Sequence, residues 1–288
     1  QTRRQILCVL VSMGLLLSRH ARPAQGPSGP PGAFCSSSSG PLLQAVMLGA
    51  KVIFPDPQWR HFIDGTADSH PWGAQALAAA LERWHAAPQR FPVSFGSMMQ
   101  PEDFAESTAE QIGRLIPLQP LVGDLCDAPS GLKAQELLGR IGIRGVMTLV
   151  GIRTTEGSVD VVPPSIPVLL DAFDAPFHPS EPKGHQLTVG GRAWTKHAGR
   201  ASDGWWGVNS GSEAEKNAKA RHRVESILAD RTWVNVHGLP DGSKEEYVAI
   251  LEVRTREGYG ARWVASDWSF RGFLEPQMAG GHEKKWRH

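Results

Sequence analysis

Residues 232–238 read TWVNVHG and residues 246–255 read EYVAILEVRT. Both segments alternate, and that alternation decides how the chain closes. Successive side chains of a strand point to opposite faces. In the first segment Trp233, Asn235 and His237 share one face, and Val234 and Val236 share the other. In the second, Tyr247, Ala249, Leu251 and Val253 lie together, with Val248, Ile250, Glu252 and Arg254 opposite them. Pairing the two strands would set Asn235 and His237 beside Glu252 and Arg254, giving one sheet face of mixed charge.

The surrounding sequence extends this sheet. PDG at Pro240–Gly242 and REGYG at Arg256–Gly260 are hairpin-type turns. GARWVAS (260–266) and WSFRGFLE (268–275) supply two further short strands, which bring Trp263, Arg262, Arg271 and Glu275. Upstream, SGSEAEKNAKARHRVESILADR (210–231) reads as a helix. Ser212 suits its N-cap, and Glu213 and Glu215 load the first turn with acid. Residues 184–288 therefore read as an α+β unit, one helix on an antiparallel sheet. The stretch from Tyr259 onward becomes the closing half of that sheet.

Residues 42–183 read as an α/β unit. WGAQALAAALERWHAA (72–87) keeps helical spacing until Pro88. AVMLGAKVIF (45–54) and RGVMTLVGI (144–152) are short apolar runs suited to buried strands. RFPVSFGSMM (90–99) reads as a strand entering a Gly-Ser turn. PEDFAESTAEQIGRLI (101–116) and LKAQELLGRIG (132–142) read as helices. The Pro-rich stretch Pro163–Lys183 breaks this rhythm and places a domain boundary there.

Residues 1–41 stand apart. Arg3–Arg4 followed by an apolar run from Ile6 to Leu17 resembles a signal peptide, with part of a truncated domain as the alternative. A Gly/Pro/Ser-rich linker follows. The run is too short for a helical membrane span, and no other segment offers an integral one.

The 288 residues carry a net charge of +1 and are 41% hydrophobic. This balance suits a globular protein and offers no large field for nucleic acid or an anionic membrane, so nucleic acid is not expected as a partner. The three cysteines, Cys8, Cys35 and Cys126, have no metal-ligand spacing, so neither a disulfide framework nor a metal site is expected. No cofactor is expected either.

Two sets of residues carry the candidate chemistry. Gly96 and Ser97, at the turn between a strand and a helix, would present backbone N–H groups suited to phosphate. On the sheet, His237 and Glu252 form a candidate acid–base pair. Asn235, Arg254, Arg262, Arg271 and Trp263 would bind the ligand, the arginines gripping an anion. Trp194, Trp205 and Trp206 could stack on a sugar or base. Structural ion pairs and core-filling Trp are the alternative reading of the same residues.

The segment ALAAALERWHAAPQRFPVSFGSMMQPEDF (76–104) resembles the hinge of GT-B glycosyltransferases of the sterol-glucosyltransferase type. In that family the hinge leads into a PVYVGFGSM-like strand, and the similarity extends over about residues 51–110. It implies a glycosyltransferase-like protein binding a nucleotide-sugar, with Gly96 and Ser97 near the donor diphosphate. The family's HHGGAGT-like segment and late Asp-Gln pair have no counterpart here, so the implied transferase is incomplete. The alternative is a non-catalytic binding module whose Arg/Trp/His-rich sheet face takes a polar or anionic small molecule or a glycan. Whether the protein is an enzyme stays open between the two.

Overall fold

The computed structural model describes residues 40–56, 59–63, 69–96, 107–178, 186–199, 204–240 and 247–277. The first part is built from α1 (Pro41–Ile53), α2 (Arg60–Ile63), α3 (Ala74–Ala86), α4 (Thr108–Leu115), α5 (Gln119–Asp127) and α6 (Gly131–Leu149). Then come α7 (Ile166–Asp174), α8 (Val189–Ala198) and α9 (Glu213–Ala229). Last are β1 (Arg231–Pro240), β2 (Tyr247–Thr255), β3 (Gly260–Val264) and β4 (Phe270–Leu274). At the level of fold class the sequence reading holds. Helix and sheet combine, and the antiparallel sheet belongs to a small C-terminal α+β unit.

Two expected strands are helices. Residues 45–53 fall in α1, which starts at Pro41 and buries Leu42, Ala45, Val46, Gly49 and Ala50, with Phe54 as its C-cap. Gly49 lets α1 approach α6 closely, since a Cβ there would lie 2.7 Å from that of Ala134. Residues 144–149 belong to α6, where Gly145 through Leu149 are all buried. Over residues 145–149 a helix buried on every side shows the unbroken apolar run of a buried strand, and in α1 the exposed Leu48 and Val52 keep the open face apolar as well, so periodicity cannot separate the two. Gly142, at φ 63°, interrupts α6 and separates the part read as helix from the part read as strand. Residues 90–96 form no strand. Ser97 and the start of the helix expected from residue 101 lie outside the described residues.

The sheet is a meander, β1-β2-β3-β4, antiparallel throughout. Its apolar face carries Val234, Val236, Leu251, Val253, Ala261 and Trp263, all buried. Helices α7, α8 and α9 pack on this unit. Phe173 of α7 meets Phe270 and Phe273 edge-on, and Trp263 Nε1 donates to the Leu169 carbonyl of α7 at 3.0 Å. The start of α9 is locked by a reciprocal capping box between Ser212 and Glu215, which satisfies two orphan N–H groups of its first turn.

An upstream segment borders the outer edge of β1. Arg153 N donates to Val234 O at 2.8 Å and Val159 N to Val236 O at 2.9 Å, while Gly238 N donates to Gly157 O at 2.9 Å. Backbone groups at a sheet edge that would otherwise invite another chain are thereby paired in cis.

Candidate functional site

Strand register assembles the polar face that alternation predicts. Asn235 lies opposite Glu252, Trp233 opposite Arg254, and Glu252 opposite Arg262. Glu252 is the hub. Its Oε1 accepts from Arg254 Nε at 2.5 Å and its Oε2 from Arg262 Nε at 2.5 Å. His237 Nε2 lies 3.4 Å from the same Oε2. Glu252 and Arg254 are each 1% exposed, and His237 is 6% exposed. Burial opposes ionisation of Glu252, but the guanidinium groups of Arg254 and Arg262, with the hydrogen bond from His237, outweigh it. Its carboxyl is held well below the usual carboxylate range.

Asn235 is fully buried. Its Nδ2 donates to Thr155 Oγ1 at 2.7 Å, and its Oδ1 accepts from Ser158 Oγ at 2.7 Å. Both hydroxyls come from the segment that borders β1.

The remaining expected residues go elsewhere. Trp263 is buried on the opposite, helix-covered face. Arg271 is exposed on β4. Gly96 is exposed, with its carbonyl accepting from Arg153 Nη2. Trp194 and Trp206 are core residues at 1% exposure. Trp205 has Tyr259 stacked 3.9 Å away on one side and the Arg223 guanidinium 4.2 Å from its ring. None of these three indoles is an open stacking platform.

A second constellation joins Glu275 and Trp206, both named from the sequence, to His197, which the sequence reading does not single out. His197, in the last turn of α8, places Nδ1 2.7 Å from Glu275 Oε1, just beyond β4. Trp206 Nε1 donates to both oxygens of Glu275, at 2.8 and 3.0 Å. The side chains of His197 and Glu275 keep 15% and 21% of their surface exposed. Arg254 joins the two sites. Its Nε holds Glu252, while its Nη1 donates to the backbone oxygens of Gly258 and Glu275, at 2.5 and 3.0 Å. Gly258 takes φ 94°, and a Cβ there would press on Pro276 at 3.1 Å. The signal for this site was the helical WTKHA (194–198), but its partner lies 78 positions away and only the tertiary fold supplies it.

Among the described residues no group of three or more His, Cys, Asp or Glu side chains is placed to hold a metal ion. No described helix is long and apolar enough to cross a membrane.

Residues 177–275 match the family model of the CdiA C-terminal tRNase toxin domain. The match takes in α8, α9 and all four strands, and with them the Glu252 and His197 clusters, while Thr155 and Ser158 beside Asn235 lie upstream of it. No curated protein and no solved structure matches the chain. The family match overturns the glycosyltransferase resemblance, and with it the nucleotide-sugar reading and the glycan-binding alternative. The resemblance rested on a short segment whose expected strand is absent over residues 90–96. The exclusion of nucleic acid is likewise corrected. It relied on net charge summed over the whole chain, which does not register how a few cationic side chains are arranged around one site.

Proposed function

We propose that residues 177–275 form an RNA-cleaving domain that acts on tRNA. The observation that carries this reading is the family match, which spans α8, α9 and the four strands. The side chains of that unit suit the chemistry. Cleavage through the ribose 2′-OH needs a base for that hydroxyl, cations for the charge that develops on phosphate, and a proton for the departing 5′-oxygen. Histidine and arginine supply the first two. In this reading Glu252 stays ionised and holds His237, Arg254 and Arg262 in place instead of exchanging a proton itself. Arg262, with 20% of its side chain exposed, is the member of the network able to reach a phosphate.

The test uses a tRNA carrying a single 2′-deoxynucleotide at the mapped cleavage position. The ordinary tRNA should yield fragments ending in a 2′,3′-cyclic phosphate and a 5′-hydroxyl, and the deoxy-substituted one should stay intact there. Equal cleavage of both would refute the proposed chemistry.

A further inference from the structure

The geometry points to His197 as a catalytic residue, with Glu275 as the group that orients it. This inference rests on the RNA-cleavage reading and names the acid–base group of that reaction. Three observations carry it. First, the pair is accessible. The side chains of His237 and Glu252 are 8% and 1% exposed, whereas those of His197 and Glu275 retain 15% and 21%. A substrate hydroxyl must come within hydrogen-bond reach of its base.

Second, the ring is fixed at one nitrogen only by a described carboxylate. Nδ1 lies 2.7 Å from Glu275 Oε1. With Nδ1–H donating to that oxygen, Nε2 is the nitrogen that accepts or delivers a proton. This is the logic by which a carboxylate sets the tautomer of a catalytic histidine. The ring is further wedged between Trp206, at 4.7 Å, and the edge of Phe273, at 6.0 Å.

Third, Glu275 is itself held, at its carboxylate and at its backbone. Trp206 Nε1 donates to both its oxygens, and Arg254 Nη1 donates to the Glu275 backbone oxygen at 3.0 Å. A site works when a supporting shell locks the reacting group. The buried Glu252–Arg254 pair thereby acquires a role, because it anchors the arm that fixes Glu275.

In the reaction, His197 Nε2 takes the proton of a ribose 2′-OH. The 2′-oxygen bonds to the adjacent phosphorus, and the bond from phosphorus to the 5′-oxygen breaks. That oxygen takes a proton from water, and His197 returns its own proton to solvent. The products are a 2′,3′-cyclic phosphate and a 5′-hydroxyl, with atoms and charge balanced.

The experiment measures tRNA cleavage by the whole chain as wild type, His197→Ala and Glu275→Gln, with His85→Ala on α3 as the control. His197→Ala should lose about a hundredfold or more in kcat while KM holds. Its residual rate should lack the low-pH limb expected of a histidine base, and added imidazole should restore part of the activity. Glu275→Gln, whose amide oxygen can still accept from Trp206, should show a smaller loss in kcat. Near-ultraviolet circular dichroism reports whether each variant keeps its fold. If His197→Ala proves unfolded, a wild-type profile without a histidine limb would overturn the assignment. Folded His197→Ala with wild-type kcat would overturn His197 alone. A wild type that leaves tRNA intact would overturn the RNA-cleavage reading and the role of His197 with it.

Discussion

Arg254 Nε lies 2.5 Å from Glu252 Oε1, and each of the two side chains is 1% exposed. A pair this deep was desolvated on folding, and only mutual contact with further hydrogen bonds offsets that cost. Removing one partner leaves the other charged and buried. Glu252→Ala should therefore lower unfolding free energy by about 3–5 kcal/mol, read from urea denaturation. A change under about 1 kcal/mol, within the range of an exposed pair, would show that the network does not hold the sheet.

The same carboxylate sets a pH dependence. The folded Glu252 is held well below its usual range, chiefly by Arg254 and Arg262 against the opposing effect of burial. Unfolded, it titrates near pH 4.3, as a free glutamate does. As pH falls below about 5, the unfolded chain takes up this proton first, so stability is lost. Above that range its contribution is fully present. Glu252→Gln should consequently lose stability less steeply than wild type between about pH 5 and 3. Parallel curves would contradict this assignment.

Ser158 Oγ donates to Asn235 Oδ1 at 2.7 Å and accepts from Thr155 N at 2.9 Å. Ser158→Ala strips a partner from a fully buried amide. The expected cost is about 1–3 kcal/mol, with faster hydrogen exchange at the amides that join residues 153–159 to β1. Unchanged exchange would mean that the hydroxyls do not hold this edge.

Gly190 of α8 faces Phe173, and a Cβ at Gly190 would land within the Phe173 ring. Phe173 is fully buried between α8 and the sheet face. Gly190→Ala should destabilise by about 1–3 kcal/mol through overpacking, although alanine is the better helix former. A stabilised variant would show that α8 does not pack as described.

Cys126 sits half-buried on α5, and burial, with Glu82 and Asp127 nearby, pushes its thiol up to about 11. At pH 8 the reactive thiolate is scarce. Iodoacetamide should modify Cys126 slowly in the native chain and at the rate of a free thiol after denaturation. Rapid native modification would contradict this placement.

The C-terminal sheet was legible because two strands alternate cleanly and a turn-type sequence follows each of them. The same alternation placed Asn235, His237, Glu252, Arg254 and Arg262 on one face. It could not show that the face is buried, since period-2 reading gives direction and not cover. Trp263 was misplaced with the arginines although its parity differs from that of Arg262. The apolar run of α6 looks like a strand because continuous burial erases periodicity, and that of α1 because Leu48 and Val52 are apolar although exposed. The pairing of His197 with Glu275 was out of reach, as His197 carries no local pattern and only the docking of α8 beside the end of β4 joins the two.

The central claim is that this chain cuts tRNA. The most direct measurement is a time course of purified tRNA with the whole chain, resolved on a denaturing gel with end-group analysis. The account predicts discrete shorter fragments bearing 5′-hydroxyl ends, accumulating in proportion to protein. Full-length tRNA persisting unchanged at stoichiometric protein would contradict it.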